Sequence, residues 1–126
     1  MNRLWIGLVL LFLIPALGIG LLWGSGAFFG SISREVEACG EAALAENWAL
    51  AGEITENCRE KWEKYYHFWA VFTDHAPIEQ VQTLFSQLEL YEKQRVATEF
   101  AACCRALAKE AEAIGESHGL AWWSLL

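Results

Sequence analysis

The chain has 126 residues, 55% of them hydrophobic, and a formal net charge of −7. Its length leaves room for one small domain and little more. All 16 acidic residues and eight of the nine basic residues follow residue 30, so the last 96 residues carry a net charge of −8 (8 − 16). This acidic balance speaks against binding to nucleic acid or to anionic lipid, because both are bound through basic side chains.

Residues 4–23, LWIGLVLLFLIPALGIGLLW, form a segment of twenty residues without a charged side chain, which is about the length that a helix needs to cross a bilayer. Ser25 and Ala27 would suit a signal-peptidase cut, but the segment is longer than the apolar region of a typical cleaved signal peptide. The length therefore favours a retained signal anchor. Arg3 precedes the segment and Arg34 is the next charge, so the positive-inside rule predicts a single-pass protein with its N-terminus in the cytoplasm and its C-terminal domain outside.

Beyond this segment the apolar residues recur at helical spacing, and no strand pattern is found. Residues 24–31, GSGAFFGS, are rich in glycine and serine and predict a hinge. The predicted organisation is a signal anchor with its hinge over residues 1–30 and a helical domain over residues 31–126. We expect an all-α fold, in which the N-terminal transmembrane helix is followed by an antiparallel four-helix bundle or, equivalently, two helical hairpins. The predicted helices of the domain cover about residues 32–46, 48–72, 75–91 and 95–118. Turns are predicted at Glu46-Asn47 and at the charged residues 92–95.

The second predicted helix carries the most regular apolar stripe in the sequence, in steps of three and four. Its second half includes six aromatic residues within residues 62–72. Tyr66 and Phe68 fall beside the stripe, so the aromatic face is wider than one helix normally buries. Phe28 and Phe29, the C-terminal tail, a partner helix or the bilayer surface could each cover it. The stripe itself consists of Ala51, Thr55, Cys58, Trp62, Tyr65, Trp69 and Phe72.

The C-terminal sequence LAWWSLL is short and very apolar. An antiparallel fourth helix runs back towards the membrane, where tryptophan is favoured at the boundary between lipid and water. We therefore expect the tail either near the lipid surface or folded over the end of the bundle core. Trp122 and Trp123, together with Tyr66 and Phe68, are the candidate interaction surface.

Several short sequences connect the chain with a known family. They are Glu46-Asn47-Trp48, Glu60-Lys61-Trp62-Glu63-Lys64, Thr73-Asp74-His75 and Ile78-Glu79. Together with the N-terminal anchor and the all-helical domain, they resemble the DUF4363 family of small membrane-anchored bacterial proteins of unknown function. The resemblance covers essentially the whole chain and implies a location in the bacterial cytoplasmic membrane. It implies no activity, and the four cysteines and the two-tryptophan tail are not features expected of the family.

The four cysteines of the domain are predicted to lie at one level of the bundle, within about 5 Å along its axis. Outside the cytoplasm a disulfide is allowed, and it would join Cys39 to Cys58, Cys103 or Cys104. A four-cysteine metal site has less support, because the close spacings of zinc modules are missing. Cysteine is also a common buried hydrophobic residue. The residues alone leave these three interpretations open.

Asp74, His75 and His118 can be drawn together at the membrane-proximal end of an up-down bundle, where they are candidates for a metal site. Helix capping by Asp74 and the favourable position of His118 at a helix C-terminus explain the same residues. No nucleophile elbow and no glycine-rich phosphate loop occurs in the sequence. Neither catalytic residues nor a cofactor is predicted.

These observations favour a non-enzymatic, membrane-anchored interaction module on the outer face of the bacterial cytoplasmic membrane, in contact with a membrane or envelope protein. The alternative is an extracytoplasmic domain that senses a ligand or a metal. It would use either the end with Asp74, His75 and His118 or the cysteine layer.

Overall fold

The structure is a computed structural model that describes the backbone of residues 2–71 and 75–125. It describes the side chains in these ranges except those of residues 21, 22, 69, 70, 75 and 117–125. The protein is all-α, as predicted, and its described residues contain no strand. Its four helices are α1 (Asn2–Leu44), α2 (Trp48–Ala70), α3 (His75–Gln94) and α4 (Ala97–Leu125).

The first helix is uninterrupted over 43 residues, about 64 Å at 1.5 Å per residue. The structure therefore differs from the predicted hinge at residues 24–31 and from the predicted helix start near residue 32. Glycine and serine are weaker helix formers than alanine, which is why the local sequence indicates a hinge. The same segment, however, contributes Ser25 and Phe29 to the interior, where both are fully buried. Their packing keeps the segment helical.

The N-terminal half of α1 contains the apolar segment 4–23. Among the described residues, α1 is the one helix long and apolar enough to cross a membrane. Its large side chains between Leu4 and Ile19 are exposed in the isolated chain, and Pro15 is accommodated inside the helix. Length and composition are thus compatible with a span.

The most extensive contact in the bundle joins α1 and α4, and two glycines define its register. A Cβ atom added to Gly40 would lie 3.2 Å from Cys104 Cβ, and one added to Gly115 would lie 3.4 Å from Phe29 Cβ. Between these contacts each helix advances eleven residues, in opposite directions (40 − 29 and 115 − 104). The helices therefore run antiparallel and in step, and the glycines permit their close approach.

The bundle is a ring of helices in chain order. α1 contacts α2 and α4, α3 contacts α4, and α2 and α3 touch least. At the end of the bundle where α1 turns into α2 and α3 turns into α4, the rings of Trp48 and Phe100 meet edge to face. Their centroids lie 5.3 Å apart. All four helices contribute to one core. Its largest fully buried side chains include Phe29, Ile32, Ile78, Leu88, Phe100, Leu107 and Ile114.

The turn after α1 is a Schellman motif, the hydrogen-bonded arrangement that closes many helix C-termini. Glu46 has a left-handed backbone with φ of 60°. Its N–H donates to Ala43 O at 2.9 Å, and the N–H of Asn47 donates to Ala42 O at 2.9 Å. Asn47 Oδ1 then accepts a hydrogen bond from Leu50 N at 3.3 Å and caps α2. The predicted turn at residues 46–47 is therefore confirmed.

The turn after α3 repeats this geometry. Arg95 has φ of 56°, its N–H donates to Glu92 O at 3.2 Å, and Val96 N donates to Tyr91 O at 3.3 Å. The turn lies later than the predicted one at residues 92–95, because α3 continues to Gln94.

The predicted stripe of α2 is buried at its first four positions, Ala51, Thr55, Cys58 and Trp62. Tyr65 differs from the prediction, since 41% of its surface is exposed. It lies at the edge of the stripe that faces α1, where its ring contacts Phe28 and leaves the rest of the side chain accessible. The remaining stripe positions, Trp69 and Phe72, lie outside the described side chains.

Candidate functional site

A cysteine layer occupies the core where α1, α2 and α4 meet, and all four cysteines of the chain are buried, free thiols. Cys39 donates a hydrogen bond to Ala51 O at 3.1 Å and lies 3.0 Å from Thr55 Oγ1. Hydrogen bonding with the Cys104 thiol lowers the pKa of Cys39. The same bond, with burial, raises the pKa of Cys104. Cys104 of α4 is thus a thiol neighbour of Cys39.

Cys58 belongs to a polar network between α1 and α2. Its thiol donates to Glu35 Oε2 at 3.1 Å, and Lys61 Nζ lies 3.5 Å from Glu35 Oε1. Lys61 also donates to Ser31 Oγ. Burial, followed by the neighbouring Glu35 carboxylate, raises the pKa of Cys58. Cys58 therefore stays a neutral thiol at neutral pH.

Cys103 contacts α3. It donates to Leu84 O of α3 at 3.4 Å, and burial raises its pKa to about 11. The two vicinal cysteines consequently face different helices, which the sequence alone does not reveal. The predicted disulfide stays a prediction, but the contact geometry favours Cys104 as the partner of Cys39.

The predicted metal site also stays a prediction. Within residues 2–71 and 75–125, no group of three His, Cys, Asp or Glu side chains among those described could hold a metal ion. Asp74 lies outside the described residues. His75 begins α3 and His118 lies in the last turns of α4, but neither side chain is among those described.

The aromatic half of α2 packs on α1 through ring contacts. The rings of Phe28 and Tyr65 meet edge to face at 5.5 Å, and those of Phe29 and Trp62 at 6.3 Å. Tyr66 lies 6.0 Å from the Trp62 ring and is half-buried at the margin of the core. Phe28 and Phe29 thus supply part of the cover that the sequence left open.

The other three candidates for the interaction surface are Phe68 at the end of α2 and Trp122 and Trp123 in α4. Phe68 is 49% exposed. The side chains of Trp122 and Trp123 lie outside those described, although the backbone of α4 is helical through both positions.

A groove of about 400 Å³ lies between α2 and α3. Trp62 and Phe85 line it, with ring centroids 6.2 Å apart. Arg59 spans the groove, donating to Glu56 Oε2 at 2.7 Å and to Glu89 Oε2 at 3.2 Å. Trp62 Nε1 is buried and has no hydrogen-bond acceptor in the described part of the chain. Arg59 therefore pairs with one carboxylate on its own helix and one on α3, and the second pair links the two helices across the groove.

Sequence reasoning missed the residues that link the helices through polar contacts. Ser31 and Glu35 are four residues apart, a spacing that places them on one helix face. The sequence alone could therefore have predicted their proximity. The contacts from Glu35 to Lys61 and from Arg59 to Glu89 need the register between different helices. No local pattern supplies that register.

One family matches most of the chain. It is a domain of unknown function, DUF4363, and the match covers residues 28–122. This range begins inside α1, where the helix enters the bundle, and it includes α2 and α3 entirely. Comparison with curated proteins and with solved structures gave no match. The chain therefore belongs to the DUF4363 family, as its sequence resemblance predicts.

Proposed function

We propose that this chain is a non-enzymatic, membrane-anchored interaction module on the outer face of the bacterial cytoplasmic membrane, and that its bundle contacts a membrane or envelope protein. The observation that carries the proposal is the continuity of α1. One helix supplies both the apolar segment 4–23 and core residues from Phe29 to Ala43. A bundle built on its own anchor is held at a fixed height and orientation above the bilayer. This arrangement suits the presentation of a surface to a neighbour in the same membrane.

The charges that flank the apolar segment support the orientation. Arg3 precedes the segment, and 30 residues without an Asp, Glu, Lys or Arg follow it before Arg34. Positive charge on the N-terminal side favours retention of that side in the cytoplasm. The acidic bundle then lies outside.

The environment of the described reactive side chains supports a contact role rather than catalysis. The four thiols are buried, and burial or hydrogen bonding raises the pKa of Cys58, Cys103 and Cys104. Glu35 and Glu89 form ion pairs between helices. These groups stabilise the bundle through their internal partners.

The net charge of residues 31–126, −8 by the count above, indicates the chemistry of the partner. A basic surface would be attracted to this domain over long range, and such steering weakens as ionic strength rises. The proposed partner is therefore a membrane or envelope protein with a basic surface near the bilayer.

The interaction is tested with the tagged full-length chain, cross-linked in bacterial membranes and purified. The matched control joins residues 1–30 to an unrelated soluble helical domain, which keeps the apolar segment but removes the bundle. We expect one membrane or envelope protein to be recovered with the full chain at constant stoichiometry, and to be lost with the control. Recovery of the same proteins with both chains would contradict the proposal.

The orientation is tested separately, by fusing alkaline phosphatase to the C-terminus of the full chain. This enzyme becomes active only after export, so an active fusion is expected. An inactive fusion, paired with a fluorescent cytoplasmic reporter at the same position, would show the opposite orientation.

A further inference from the structure

The register of the helices sets the levels at which they end. The α1–α4 contacts at Gly40 with Cys104 and at Gly115 with Phe29 are in step. Both helices rise by the same distance per residue, so this register continues along them. It places residues 119–125 of α4 beside residues 25–19 of α1. Gly18 of α1 is buried, whereas Gly7 and Gly20 are exposed. This burial agrees with a helix that continues alongside α1 to this level.

The contacts between α1 and α2 give the level of α2 in the same way. Glu35 meets Cys58 at 3.1 Å, and Phe28 meets Tyr65 seven residues further along each helix. The same α1–α2 register places Phe68 level with residue 25 of α1 and the end of α2 level with residue 23. Three helices therefore reach the level at which the apolar segment of α1 ends.

Apolar side chains are exposed at this level. We call Trp23, Phe68 and Val71 the aromatic end of the bundle, and their exposed fractions are 76%, 49% and 78%. The surrounding sequence has no Asp, Glu, Lys or Arg over residues 4–33 of α1, over residues 65–71 at the end of α2 and just beyond it, or over residues 117–125 of α4. A water-facing surface of a small domain rarely concentrates large apolar groups in this way.

We propose that the aromatic end is seated in the headgroup region of the outer leaflet, so that the bilayer surface covers it. The inference rests on the anchored topology proposed above. Lipid is the occupant that continuity favours, because α1 passes from this level directly into its apolar segment. Tryptophan and other amphipathic rings are favoured at the boundary between headgroups and acyl chains. The aromatic end is apolar, so its contact with the membrane does not depend on basic residues or on low salt.

The proposal also assigns a role to the last residues of α4. Their sequence, GLAWWSL over residues 119–125, is uncharged, and their helix spans about 10 Å. A depth of about 5–10 Å is typical of helices that rest in the interface. The C-terminal turns would thus enter the outer boundary of the membrane beside α1, and the domain would meet the bilayer through α1, α2 and α4.

The test is photo-crosslinking of the full-length chain in vesicles of phosphatidylethanolamine and phosphatidylglycerol. Benzoylphenylalanine replaces Phe68 or, in a second variant, the more exposed Val71. The matched control replaces the exposed Asn57 on the same helix, about 16 Å from Phe68 along its axis. A fourth variant replaces Phe12, an exposed residue within the apolar segment.

We expect lipid adducts, with the mass of the protein plus one phospholipid, from positions 68, 71 and 12 and none from position 57. Raising the salt concentration should leave the yield at positions 68 and 71 unchanged. Adducts at position 12 without any at positions 68 and 71 would overturn this inference and leave the anchor intact. Adducts between two protein chains at positions 68 and 71, in place of lipid, would overturn it as well. Failure at position 12 would overturn the anchored topology itself.

Discussion

Neighbouring residues on a helix point about 100° apart, and at Cys103 and Cys104 this angle sends one thiol towards α3 and the other towards α1. Cys104 is held against α1 partly because Gly40 has no side chain. A Cβ atom at that position would approach Cys104 Cβ within 3.2 Å. The glycine and the cysteine thus form one close-packed contact, which also brings Cys104 to Cys39.

We predict that oxidised glutathione links Cys39 to Cys104. Two thiols would lose two electrons and two protons to form the bond, and the glutathione disulfide would be reduced to two thiols. Trypsin then leaves peptides 35–59 and 96–105 joined, whereas a bond between Cys39 and Cys58 would stay within peptide 35–59. Chain entropy predicts a stabilisation of about 4 kcal/mol for a loop of this size, measurable by denaturant unfolding.

Two single variants serve as controls for this pairing. Cys103→Ala should retain the link between the two peptides, and Cys104→Ala should abolish it. The opposite pattern would show that Cys103 is the partner and would contradict the observed packing.

The buried thiols also predict a loss of stability at alkaline pH. Burial raises the pKa of Cys103 to about 11, from an unfolded value of 9.0. The contribution of such a group is fully present below its unfolded pKa and is lost as the pH rises towards its folded pKa, because the unfolded chain ionises first. We expect the free energy of unfolding to fall between pH 9 and pH 11, by about 1–3 kcal/mol for this thiol.

The measurement compares urea unfolding at pH 8 and pH 10 for the natural chain and for Cys103→Ala. The variant should lose less stability over this interval, since it lacks one of the thiols whose pKa is raised. An equal loss in both chains would assign the effect to other groups.

At the scale of the element, the two Schellman turns hold non-glycine residues in the left-handed region. A residue with a side chain pays about 1 kcal/mol there relative to glycine. Glu46→Gly should therefore raise the free energy of unfolding by about that amount, measured by thermal or denaturant unfolding. Glu46→Val should lower it, because a branched side chain is still less compatible with this conformation.

Arg95→Gly is the matched comparison at the second turn. The guanidinium of Arg95 lies 5.3 Å from the centre of the Trp48 ring, so glycine relieves the backbone but removes this contact. Its gain should be smaller than that of Glu46→Gly. An equal gain at both turns would mean that the ring contact contributes nothing to stability.

The predictability of each element followed the range of the interactions that determine it. The stripe from Ala51 to Trp62 was readable because helical periodicity is a local property. The predicted hinge failed because Ser25 and Phe29 are held by helices distant in sequence. The charged residues 92–95 predicted the turn after α3, but without a glycine or proline they did not identify Arg95 as its left-handed residue. At the site, the sequence predicted a common level for the cysteines but could not choose between Cys103 and Cys104, since that choice depends on the rotation of α4.

At the scale of the whole molecule, the continuity of α1 distinguishes a rigid stalk from a flexible tether. Ala27→Pro removes a backbone hydrogen-bond donor within residues 24–31, the segment predicted as a hinge. It also introduces a clash with the carbonyl four residues earlier. We expect a cost of about 3 kcal/mol or more, seen as a lower midpoint of thermal unfolding for the detergent-solubilised full chain. Ala27→Leu is the control and should have little effect, because Ala27 is exposed. Tolerance of proline at this position would indicate a hinge after all.

The pairing of the first helix with the last also sets the order in which the protein can be completed. The ribosome releases Cys39 and Cys58 nineteen residues apart, and Cys104 follows 46 residues later. Until α4 has been synthesised, α1 lacks its most extensive partner, and non-local contacts of this kind slow folding. During this interval the one thiol within early reach of Cys39 is that of Cys58. Oxidation of a nascent chain would therefore join Cys39 to Cys58. Oxidation of the completed bundle would instead join Cys39 to Cys104.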